Sequence, residues 1–426
     1  MGNETASPST WVVNRGIDTL VVNAFYTDNG KPIKQEMASL LARQLDEWKR
    51  AAQAVSEPVV TDWTFNGLAL LMHPGGAGQG QWQWLLKTPD ITLYLSGGKW
   101  NGVASVRFNA QYLWSCHNSF EAITSVHTFL KDILQDEVFL QLSEVHLCAD
   151  IAGWHGVEQL NQQRDFVSRS RKRGTHLEPD WGFDAKAEKY AYGLHSSGFD
   201  FSKRGAMSCT IYDKTREIQH SGKEWFYDLW RSRGWDETTG GSVWRVEFKF
   251  KREVLHELKQ DGVFHGIEDV YELPGRLPLL WAYAAGHVGG DEQGIPDGWL
   301  RCVVPSEERD KNRTRWPTHP AWQVVQKAFS EPAEQPEHFG KMVRKRWRER
   351  NIDRGIEAVI GYATSLASWV GDELMADSGV ALWDSDLSDF LRWFEREGQA
   401  YLDRKELHFG MEVLRKQTKF GVEASA

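Results

Sequence analysis

The amino-acid sequence predicts an α+β fold in which helices cover one face of an antiparallel sheet, a reactive site occupies the other face, and a helical domain follows at the C-terminus. Three short segments with strict alternation of apolar and polar residues predict the sheet. Longer segments with apolar residues at helical spacing predict the helices. Beyond Val303 the alternation gives way to helical patterns, which indicates a separate C-terminal region.

The chain length predicts several folding units. With 426 residues, the chain exceeds the size of about 250–300 residues at which one hydrophobic core stops growing. Its hydrophobic content of 41% and charged content of 26% are ordinary for globular proteins. We expect a disordered arm over residues 1–15, an N-terminal α/β subdomain over 16–135, a central domain over 136–310 and a helical domain over 311–426.

We expect neither a secretory signal nor a membrane span from the sequence. The N-terminus has neither a basic start nor an apolar run. The most apolar stretch, LPLLWAYAAG from Leu277, is far shorter than the roughly 20 residues that a bilayer requires. The four cysteines are scattered without close pairing, which is typical of a reducing compartment. We therefore expect a cytoplasmic protein without a membrane span.

The first part of the chain mixes strand and helix patterns. GIDTLVVNAF from Gly16 predicts a strand, and MASLLARQLDEWKRAAQ from Met37 predicts an amphipathic helix. Short strand patterns follow in DITLYLSGG and VASVRFNAQYLW. Asn118, with Glu121 three residues later, predicts the N-cap of a further helix.

Three strand patterns in the central region carry charged or reactive residues on one face. In LSEVHLCADI the apolar face consists of Val145, Leu147, Ala149 and Ile151, and the other face consists of Glu144, His146, Cys148 and Asp150. In VWRVEFKFK the two faces are Trp244, Val246, Phe248 and Phe250, against Arg245, Glu247, Lys249 and Lys251. In the third segment Met207, Cys209 and Ile211 alternate with Ser208, Thr210, Tyr212 and Lys214.

If these strands are neighbours, their polar faces form one reactive surface. That surface gathers His146, Asp150, Tyr212, Lys214 and Glu247. The alternative is a sheet with one face in water, which antiparallel sheets commonly have. Solvated faces usually carry Thr, Lys and Glu, and this combination of a tyrosine, a lysine, a histidine and carboxylates is more specific.

Tyr212 suits nucleophilic attack on a phosphodiester if its phenol can ionise. The reference pKa of tyrosine is about 10, so a nearby cation must favour the phenolate, and Lys214 would supply one. Carboxylates with an imidazole suit a divalent ion that prefers hard ligands, Mg²⁺ or Mn²⁺. Arg245 would stabilise charge that develops on the phosphate oxygens. Packing is the alternative role for Tyr212, since aromatic residues are common in half-buried strands.

Two basic runs, RDFVSRSRKR and KMVRKRWRERNIDR, point to a polyanionic partner. The candidate DNA contacts are Arg169, Arg171, Lys172, Arg173, Arg344, Lys345, Arg346 and Arg348, with Trp347 as a stacking residue. The net charge of -9 argues against general coating of nucleic acid. Solvated helix faces are the alternative interpretation of both runs.

The stretch GFDFSKRGAMSCTIYDKTREIQHSGKEWFYDLW, followed by VWRVEFKFKREVL, resembles the replication initiation factor family of rolling-circle plasmids and phages, also called trans-acting Rep, which is related to conjugative relaxases. The family motifs Tyr-x-Lys-x-x-Glu, Trp-Arg-x-Glu and Arg-x-Asp-x-x-x-Asp correspond to Tyr212, Lys214 and Glu217, to Trp244, Arg245 and Glu247, and to Glu144, His146 and Asp150. Glu144 and His146 depart from the family pattern.

The resemblance implies a metal-dependent DNA nicking-closing endonuclease that forms a 5′-phosphotyrosine, with a fold related to sheet-based nucleases. It implies that Tyr212 is the nucleophile and that Lys214 and Arg245 are further catalytic residues. The implied ligands of Mg²⁺ or Mn²⁺ are His146, Asp150, Glu217 and Glu247.

The same resemblance assigns roles to the domains and names partners. The domain over 136–310 would be the nickase, and the domain over 311–426 would bind DNA. The implied partners are an origin duplex with a locally single-stranded nick site and a host helicase, and a homodimer is one option for the assembly.

Three alternatives to a replication nickase stay open. A DNA-binding initiator without cleavage fits the departures at Glu144 and His146. A conjugative relaxase of an integrative element would use the same chemistry. A hydrolytic metal nuclease would use water, with Tyr212 only stacking on a base.

Overall fold

A computed structural model describes most of the chain. The described residues are 10–27, 31–32, 35–77, 81–97, 102–170, 173–179, 194–260, 266–290, 297–306, 312–330, 342–344, 352–371 and 386–413. They form two compact units, of which the first ends at Lys345 and the second begins at Arg346. Within these ranges, no helix has both the length and the apolar character to cross a membrane.

The strands are β1 (Trp11–Tyr26), β2 (Val59–Phe65), β3 (Leu68–Met72), β4 (Trp84–Lys87), β5 (Ile91–Leu95), β6 (Ala104–Phe108), β7 (Val138–Ala152), β8 (Phe166–Ser168), β9 (Arg173–Pro179), β10 (Leu194–Phe201), β11 (Met207–Asp213), β12 (Trp244–Lys251), β13 (Leu258–Gln260), β14 (Leu300–Cys302) and β15 (Met342–Arg344). The helices are α1 (Gln35–Val55), α2 (Ala110–Ser115), α3 (Ser119–Leu134), α4 (Lys214–Ser221), α5 (Trp225–Arg231), α6 (Glu237–Gly240), α7 (Arg252–Glu257), α8 (Leu273–Ala285), α9 (Pro320–Gln326), α10 (Ile352–Trp369) and α11 (Leu387–Arg404).

The first unit is built on an antiparallel sheet of 11 strands. Their order is β2-β3-β4-β5-β6-β1-β7-β12-β11-β10-β9. The strands with predicted polar faces, β7, β12 and β11, are direct neighbours in this sheet. The predicted α+β fold with an antiparallel sheet is therefore confirmed.

Helices α8 and α9 cover the apolar face of this part of the sheet. Trp281 of α8 packs edge-on against Phe248 of β12, with ring centroids 5.3 Å apart. Its indole N–H donates to the Val325 carbonyl at 2.7 Å. Trp322 of α9 is fully buried and packs against Phe166. Burying each large apolar side chain stabilises the fold by about 1.5–3 kcal/mol. The two helices therefore cover this face stably, and the polar and charged side chains lie on the opposite face of the sheet.

β1 lies between β6 and β7 and carries an irregularity that matters for the site. Its register against β7 shifts between Ile17 and Thr19, which places Asp18 in a β-bulge. A bulge adds one residue to a strand and re-aims its side chain. The Asp18 carboxylate turns to the polar face, where it meets Arg245.

β1 begins at Trp11, inside the segment that we expected to be a disordered arm. Trp11 lies opposite Ala152, because β7 continues far enough to offer a partner. Val13 and Asn14 are buried. Residues 11–15 therefore belong to the sheet.

The boundaries of the units differ from the expected ones. Residues 16–135 and 136–310 share one sheet, because β7 pairs with β1 on one side and β12 on the other. The first unit also continues past residue 310, since α9 packs into its core. The apolar helix α9 thus belongs with the sheet and not with the C-terminal helices.

The strand that contains Tyr212 ends one residue earlier than the alternation suggested. β11 ends at Asp213, whose carboxylate accepts a hydrogen bond from the Arg216 N–H at 3.0 Å and caps α4. Lys214 is therefore the first residue of a helix and does not continue the polar face of the strand.

The second unit contains α10 and α11. At the start of α11, Asp386 accepts a hydrogen bond from the Asp389 N–H at 3.2 Å, and Asp389 accepts one from the Asp386 N–H at 3.1 Å. Ala363, Phe390 and Trp393 form its buried cluster. The predicted C-terminal helical region is confirmed.

Gly198 allows β10 to approach β11 directly beside Tyr212, its register partner. A Cβ at this position would lie 1.8 Å from the Ile211 carbonyl oxygen. We expect Gly198→Ala to lower the free energy of unfolding by roughly 3 kcal/mol, because the strands must separate. Urea denaturation measures this cost. The control is Gly275→Ala in α8, where a Cβ meets nothing within 4 Å, and equal stability of the two variants would contradict the prediction.

Candidate active site

Cross-strand pairing places the polar side chains of β7, β12 and β11 in rows. Arg245 lies opposite Tyr212 on one side and Asp150 on the other. In the adjacent row Glu247 lies opposite Thr210 and Cys148. Side chains in register partners of an antiparallel pair point to the same face. The sheet therefore places Tyr212, Arg245, Asp150 and Glu247 on one face.

Tyr212 is 9% exposed, and its hydroxyl donates a hydrogen bond to Glu247 Oε2 at 3.2 Å. Burial, and then the charge of Glu247, raise the pKa of Tyr212 well above its ordinary value. The phenol is therefore protonated in this environment. Additional positive charge beside the phenol would lower this pKa.

Glu247 connects Tyr212 to a histidine and a lysine. Its Oε1 lies 3.0 Å from His146 Nδ1 and 3.3 Å from Lys249 Nζ. Burial opposes its ionisation, but the hydrogen bond from His146 and the charge of Lys249 outweigh burial and lower the pKa of Glu247. Glu247 is a carboxylate at neutral pH.

His146 lies between two carboxylates. Its Nε2 is 2.6 Å from Glu144 Oε1, and its Nδ1 faces Glu247. Burial disfavours the charged ring, but the hydrogen bonds to Glu144 and Glu247 together raise the pKa of His146. The contact with Glu144 fixes the orientation of the ring. A carboxylate on the far nitrogen is the arrangement that orients metal-binding histidines in proteins.

Asp18, His146 and Glu247 form a candidate site for a cation. One ligand atom from each lies within 4.8 Å of the others. Within the described residues, no other group of three acidic, histidine or cysteine side chains brings its ligand atoms so close together. Metal–ligand distances of about 2.0–2.6 Å allow one ion to touch all three groups. Two carboxylates and an imidazole suit Mg²⁺ or Mn²⁺, so the residues fit the expected ion.

Sequence reasoning missed Asp18. Its only signal was an acidic residue inside the otherwise apolar strand GIDTLVVNAF. In regular alternation Asp18 would share a face with Leu20, and the bulge at this position sends it to the other face.

Asp150, expected to bind the ion, contacts Arg245 with both oxygens. Arg245 Nε lies 2.6 Å from Oδ1 and Nη2 lies 2.9 Å from Oδ2. Burial opposes the charge of Asp150, and Arg245 outweighs it, so the pKa of Asp150 is lowered. The Trp230 indole N–H and the Asn14 amide also donate to Oδ2, at 3.0 and 3.3 Å. These donors occupy both oxygens of the Asp150 carboxylate.

Arg245 itself is fully buried and reaches a second acid. Its Nη1 lies 2.6 Å from Asp18 Oδ1, and the Phe226 ring centroid lies 4.7 Å from its guanidinium carbon. Burial opposes its charge, but Asp150 raises the pKa of Arg245 well above the ordinary value. Arg245 therefore links Asp150 to a residue of the candidate cation site.

Lys214 and Glu217 pair with each other at the start of α4. The Lys214 ammonium lies 5.8 Å from the Tyr212 ring centroid and 4.4 Å from that of Phe226. Burial and the charge of Arg245 lower the pKa of Lys214. Burial opposes ionisation of Glu217, but Lys214 lowers its pKa, and Lys223 lies 3.7 Å from its other oxygen. Glu217, an expected ligand, thus faces two lysines.

The expected DNA contacts are placed only in part. Arg169 lies over the Tyr283 ring at 5.7 Å, and Arg173 donates to the Gln162 carbonyl at 2.8 Å. Arg344 ends β15. The other expected contacts lie outside the described residues: Arg171, Lys172, Lys345, Arg346, Trp347 and Arg348.

Comparisons with known proteins identify no family. No family model matches the chain, and no curated protein matches it. A solved structure described as a rolling circle replication initiator protein from Geobacillus stearothermophilus is similar at 14% sequence identity and a TM-score of 0.37. The match covers 75% of this chain and 97% of the other. So distant a likeness does not decide the function.

Arg245 contacts two acids, and removal of Asp150 should destabilise the protein more than removal of Asp18. We expect Asp150→Ala to lower the free energy of unfolding by about 3–5 kcal/mol, because it leaves the buried Arg245 without its bidentate partner. Asp18→Ala should cost less, since that partner remains. Urea denaturation of both variants measures the difference.

The matched control is Asp228→Ala, which removes an exposed carboxylate 3.1 Å from Arg231. Surface pairs contribute about 1 kcal/mol or less. A cost for Asp150→Ala no larger than that of Asp228→Ala would show that the ion pair does not organise the site.

Proposed function

We propose that the protein nicks one DNA strand by attack of the Tyr212 hydroxyl on a phosphodiester and later rejoins or transfers that strand, as a rolling-circle replication initiator does. The observation that carries the proposal is the shared use of Glu247. One of its oxygens accepts the Tyr212 hydroxyl, and the residue belongs to the cluster with Asp18 and His146. A nucleophile and a cation site that share one carboxylate are the two parts that phosphoryl transfer requires.

The reaction is a transesterification. The Tyr212 oxygen forms a bond to phosphorus as the bond between phosphorus and the 3′ oxygen breaks, which leaves a 5′-phosphotyrosine and a free 3′ hydroxyl. Glu247 Oε2 orients the hydroxyl through the hydrogen bond that it accepts. The hydroxyl proton is released to solvent as the bond to phosphorus forms, and the leaving 3′ oxygen takes up a proton from solvent. Because the covalent link conserves the phosphodiester, attack by a 3′ hydroxyl reverses the step and reseals the strand.

Asp18, His146 and Glu247 would hold Mg²⁺ or Mn²⁺. When bound, the ion supplies the positive charge that polarises the phosphodiester and offsets the phenolate. Its need follows from Tyr212, whose pKa is raised by burial and by Glu247. Glu144 orients His146 through the 2.6 Å contact.

The cations near Tyr212 divide into two roles in this proposal. Arg245 is buried between Asp150 and Asp18, so it positions Asp18 and does not contact a phosphate. Lys214 adds a positive charge beside the tyrosine ring. Asp150 takes the role of anchoring Arg245, and Asp18 takes the ligand role that the sequence suggested for Asp150.

We further propose that the protein acts in the cytoplasm on an origin duplex with a locally melted nick site. The C-terminal unit would hold the duplex, and a host helicase would extend the nick. The basic residues of both runs are the proposed phosphate contacts, and a homodimer is one assembly that would place two tyrosines at one origin.

Tyr212→Phe should abolish cleavage while DNA affinity stays within a few-fold of wild type, because only the hydroxyl is lost and the ring still packs. A denaturing gel with labelled single strands of the protein's own genetic element and Mn²⁺ measures both products and adducts. A protease-sensitive covalent adduct in wild type supports the nickase.

Other outcomes of that gel replace the proposal. Free cleaved ends without an adduct indicate hydrolysis by water. A mobility shift without cutting indicates an origin-binding protein. Adduct formation by the Tyr212→Phe variant would move the nucleophile to another tyrosine.

Cleavage should require a divalent ion, and Asp18→Ala and Glu247→Ala should each weaken it by about 10–100-fold or more, because the ion loses one of few protein ligands. Calorimetric titration with Mn²⁺ should show the same loss in affinity. Asp228→Ala, which removes an exposed acid, is the matched control. Full activity in excess chelator would contradict the metal requirement.

A further inference from the structure

A cavity of about 470 Å³ opens beside the candidate active site. It lies where β1, α2, the start of α3 and the start of α8 meet, and Arg233 stands at its rim. Its volume falls in the range of about 300–1,000 Å³ that small-ligand sites occupy. We call it the Arg233 pocket.

The chemistry of the Arg233 pocket combines an apolar interior with a cationic rim. Apolar surface comes from residues of four segments: Ile17, Leu113, Trp114, Leu277 and Phe329. Arg15 and Arg233 are the arginines among the residues that line it, His117 is a further basic residue there, and none of the described lining residues is acidic. The nearby Glu121 carboxylate accepts a hydrogen bond from the His117 backbone N–H at 2.8 Å. An apolar interior with guanidinium groups at the rim suits a flat base attached to a phosphate.

Cross-strand register places the pocket close to Tyr212 and Glu247. Gly16 lines the pocket and pairs with Cys148, which pairs with Glu247. Neighbouring strands are about 4.8 Å apart, so Gly16 lies roughly 10 Å from Glu247 across the sheet. At about 3.4 Å per stacked nucleotide, a single strand bridges that distance with about three nucleotides.

An aromatic wall separates the pocket from the buried Arg245. A Cβ on Gly16 would lie 2.6 Å from the Trp114 ring, which therefore stands on the same face of the sheet as Glu247. Trp114 lies 6.5 Å from Phe226, which covers Arg245. The pocket lies at an edge of β1 where the strand pairs with β7 but not with β6. Trp114 borders it on the polar face, and the start of α8 and Phe329 border it on the apolar face.

Arg233 also connects the pocket to the site through hydrogen bonds. Its Nη1 donates to Asn14, and the Asn14 amide donates to Asp150, the partner of Arg245. A guanidinium group has five donors in a fixed plane, so the bond to Asn14 orients Arg233 and leaves donors for an anion.

We propose that the Arg233 pocket binds one nucleotide of the single strand that Tyr212 attacks, with the base against the apolar interior and its phosphate at Arg233. The proposal rests on the proposed DNA-strand substrate. Such a contact fixes which phosphodiester reaches Tyr212, and the pocket thereby contributes to the choice of nick site.

The test measures strand binding apart from cleavage. In a Tyr212→Phe background, fluorescence anisotropy follows labelled oligothymidylate and a labelled mixed-sequence strand without added metal. Arg233→Ala should weaken binding by about tenfold and reduce the slope of log affinity against log salt by about 0.7, the contribution of one phosphate on a single strand. Arg231→Ala, which removes a neighbouring exposed guanidinium paired with Asp228, should change neither value. Equal losses from Arg231→Ala and Arg233→Ala would overturn the proposal.

A second pair of variants covers the case in which Arg233→Ala disturbs the Asn14 contact. Ser119 lines the pocket and is the first residue of α3, where an acidic side chain stabilises a helix. Ser119→Glu should fold well but repel the strand and weaken binding by about tenfold, while the uncharged Ser119→Gln binds like the parent. Equal affinities of the two variants would overturn the proposal.

The outcomes separate this proposal from the proposed nickase. If pocket variants lose strand affinity but wild type forms no covalent adduct, the pocket stands and the nicking role fails. If wild type forms the adduct and every pocket variant binds normally, the nicking role stands and the pocket fails.

Discussion

The fully buried pair between Arg245 and Asp150 is the interaction on which the polar face of the sheet depends. Taking both charges out of water is expensive, and the pair is tolerated because each donor and acceptor has a partner. The same guanidinium holds Asp18. An ion pair of this kind contributes little net stability, but it fixes geometry, because losing either partner leaves an isolated buried charge. Through Asp18 it also connects the bulge of β1 to β12 across the intervening strand β7.

Glu247 connects Tyr212 to the candidate cation site. It accepts the Tyr212 hydroxyl on one oxygen and faces His146 and Lys249 on the other. The positive neighbours keep Glu247 ionised, and its charge in turn holds the proton on Tyr212. In the proposed function, added positive charge beside the phenol would favour its ionisation. A divalent ion among Asp18, His146 and Glu247 would bring that charge next to the phenol, so the proposed role of Tyr212 depends on metal binding.

The sequence predicted the parts of the structure that follow from period-two alternation. The placement of Tyr212, Glu247 and His146 on the polar faces of their strands follows from that pattern, and the order of the sheet meets the condition that these strands are neighbours. The position of Asp18 on the polar face was not predicted, because a bulge is one extra residue and nothing in GIDTLVVNAF marks where the register shifts. The contact between Asp150 and Arg245 was not predicted, because alternation shows the face of a residue but not its neighbour on the next strand. The expected domain boundaries failed for a related reason, since strand pairing between distant segments leaves no local signal.

The most direct test of the link between Tyr212 and the candidate cation site is the pKa of Tyr212 with and without Mg²⁺. Tyrosine ionisation can be followed by NMR of ring-labelled protein, with the Tyr212→Phe variant identifying the resonance among the 11 tyrosines. Saturating Mg²⁺ should lower the pKa of Tyr212 in wild type, because the ion offsets the charge of Glu247. At the Mg²⁺ concentration that just saturates wild type, the pKa should change much less in Asp18→Ala, because this variant lacks one ligand and binds the ion more weakly. A pKa that does not respond to Mg²⁺ in wild type, or that responds equally in Asp18→Ala, would contradict the coupling between nucleophile and cation site.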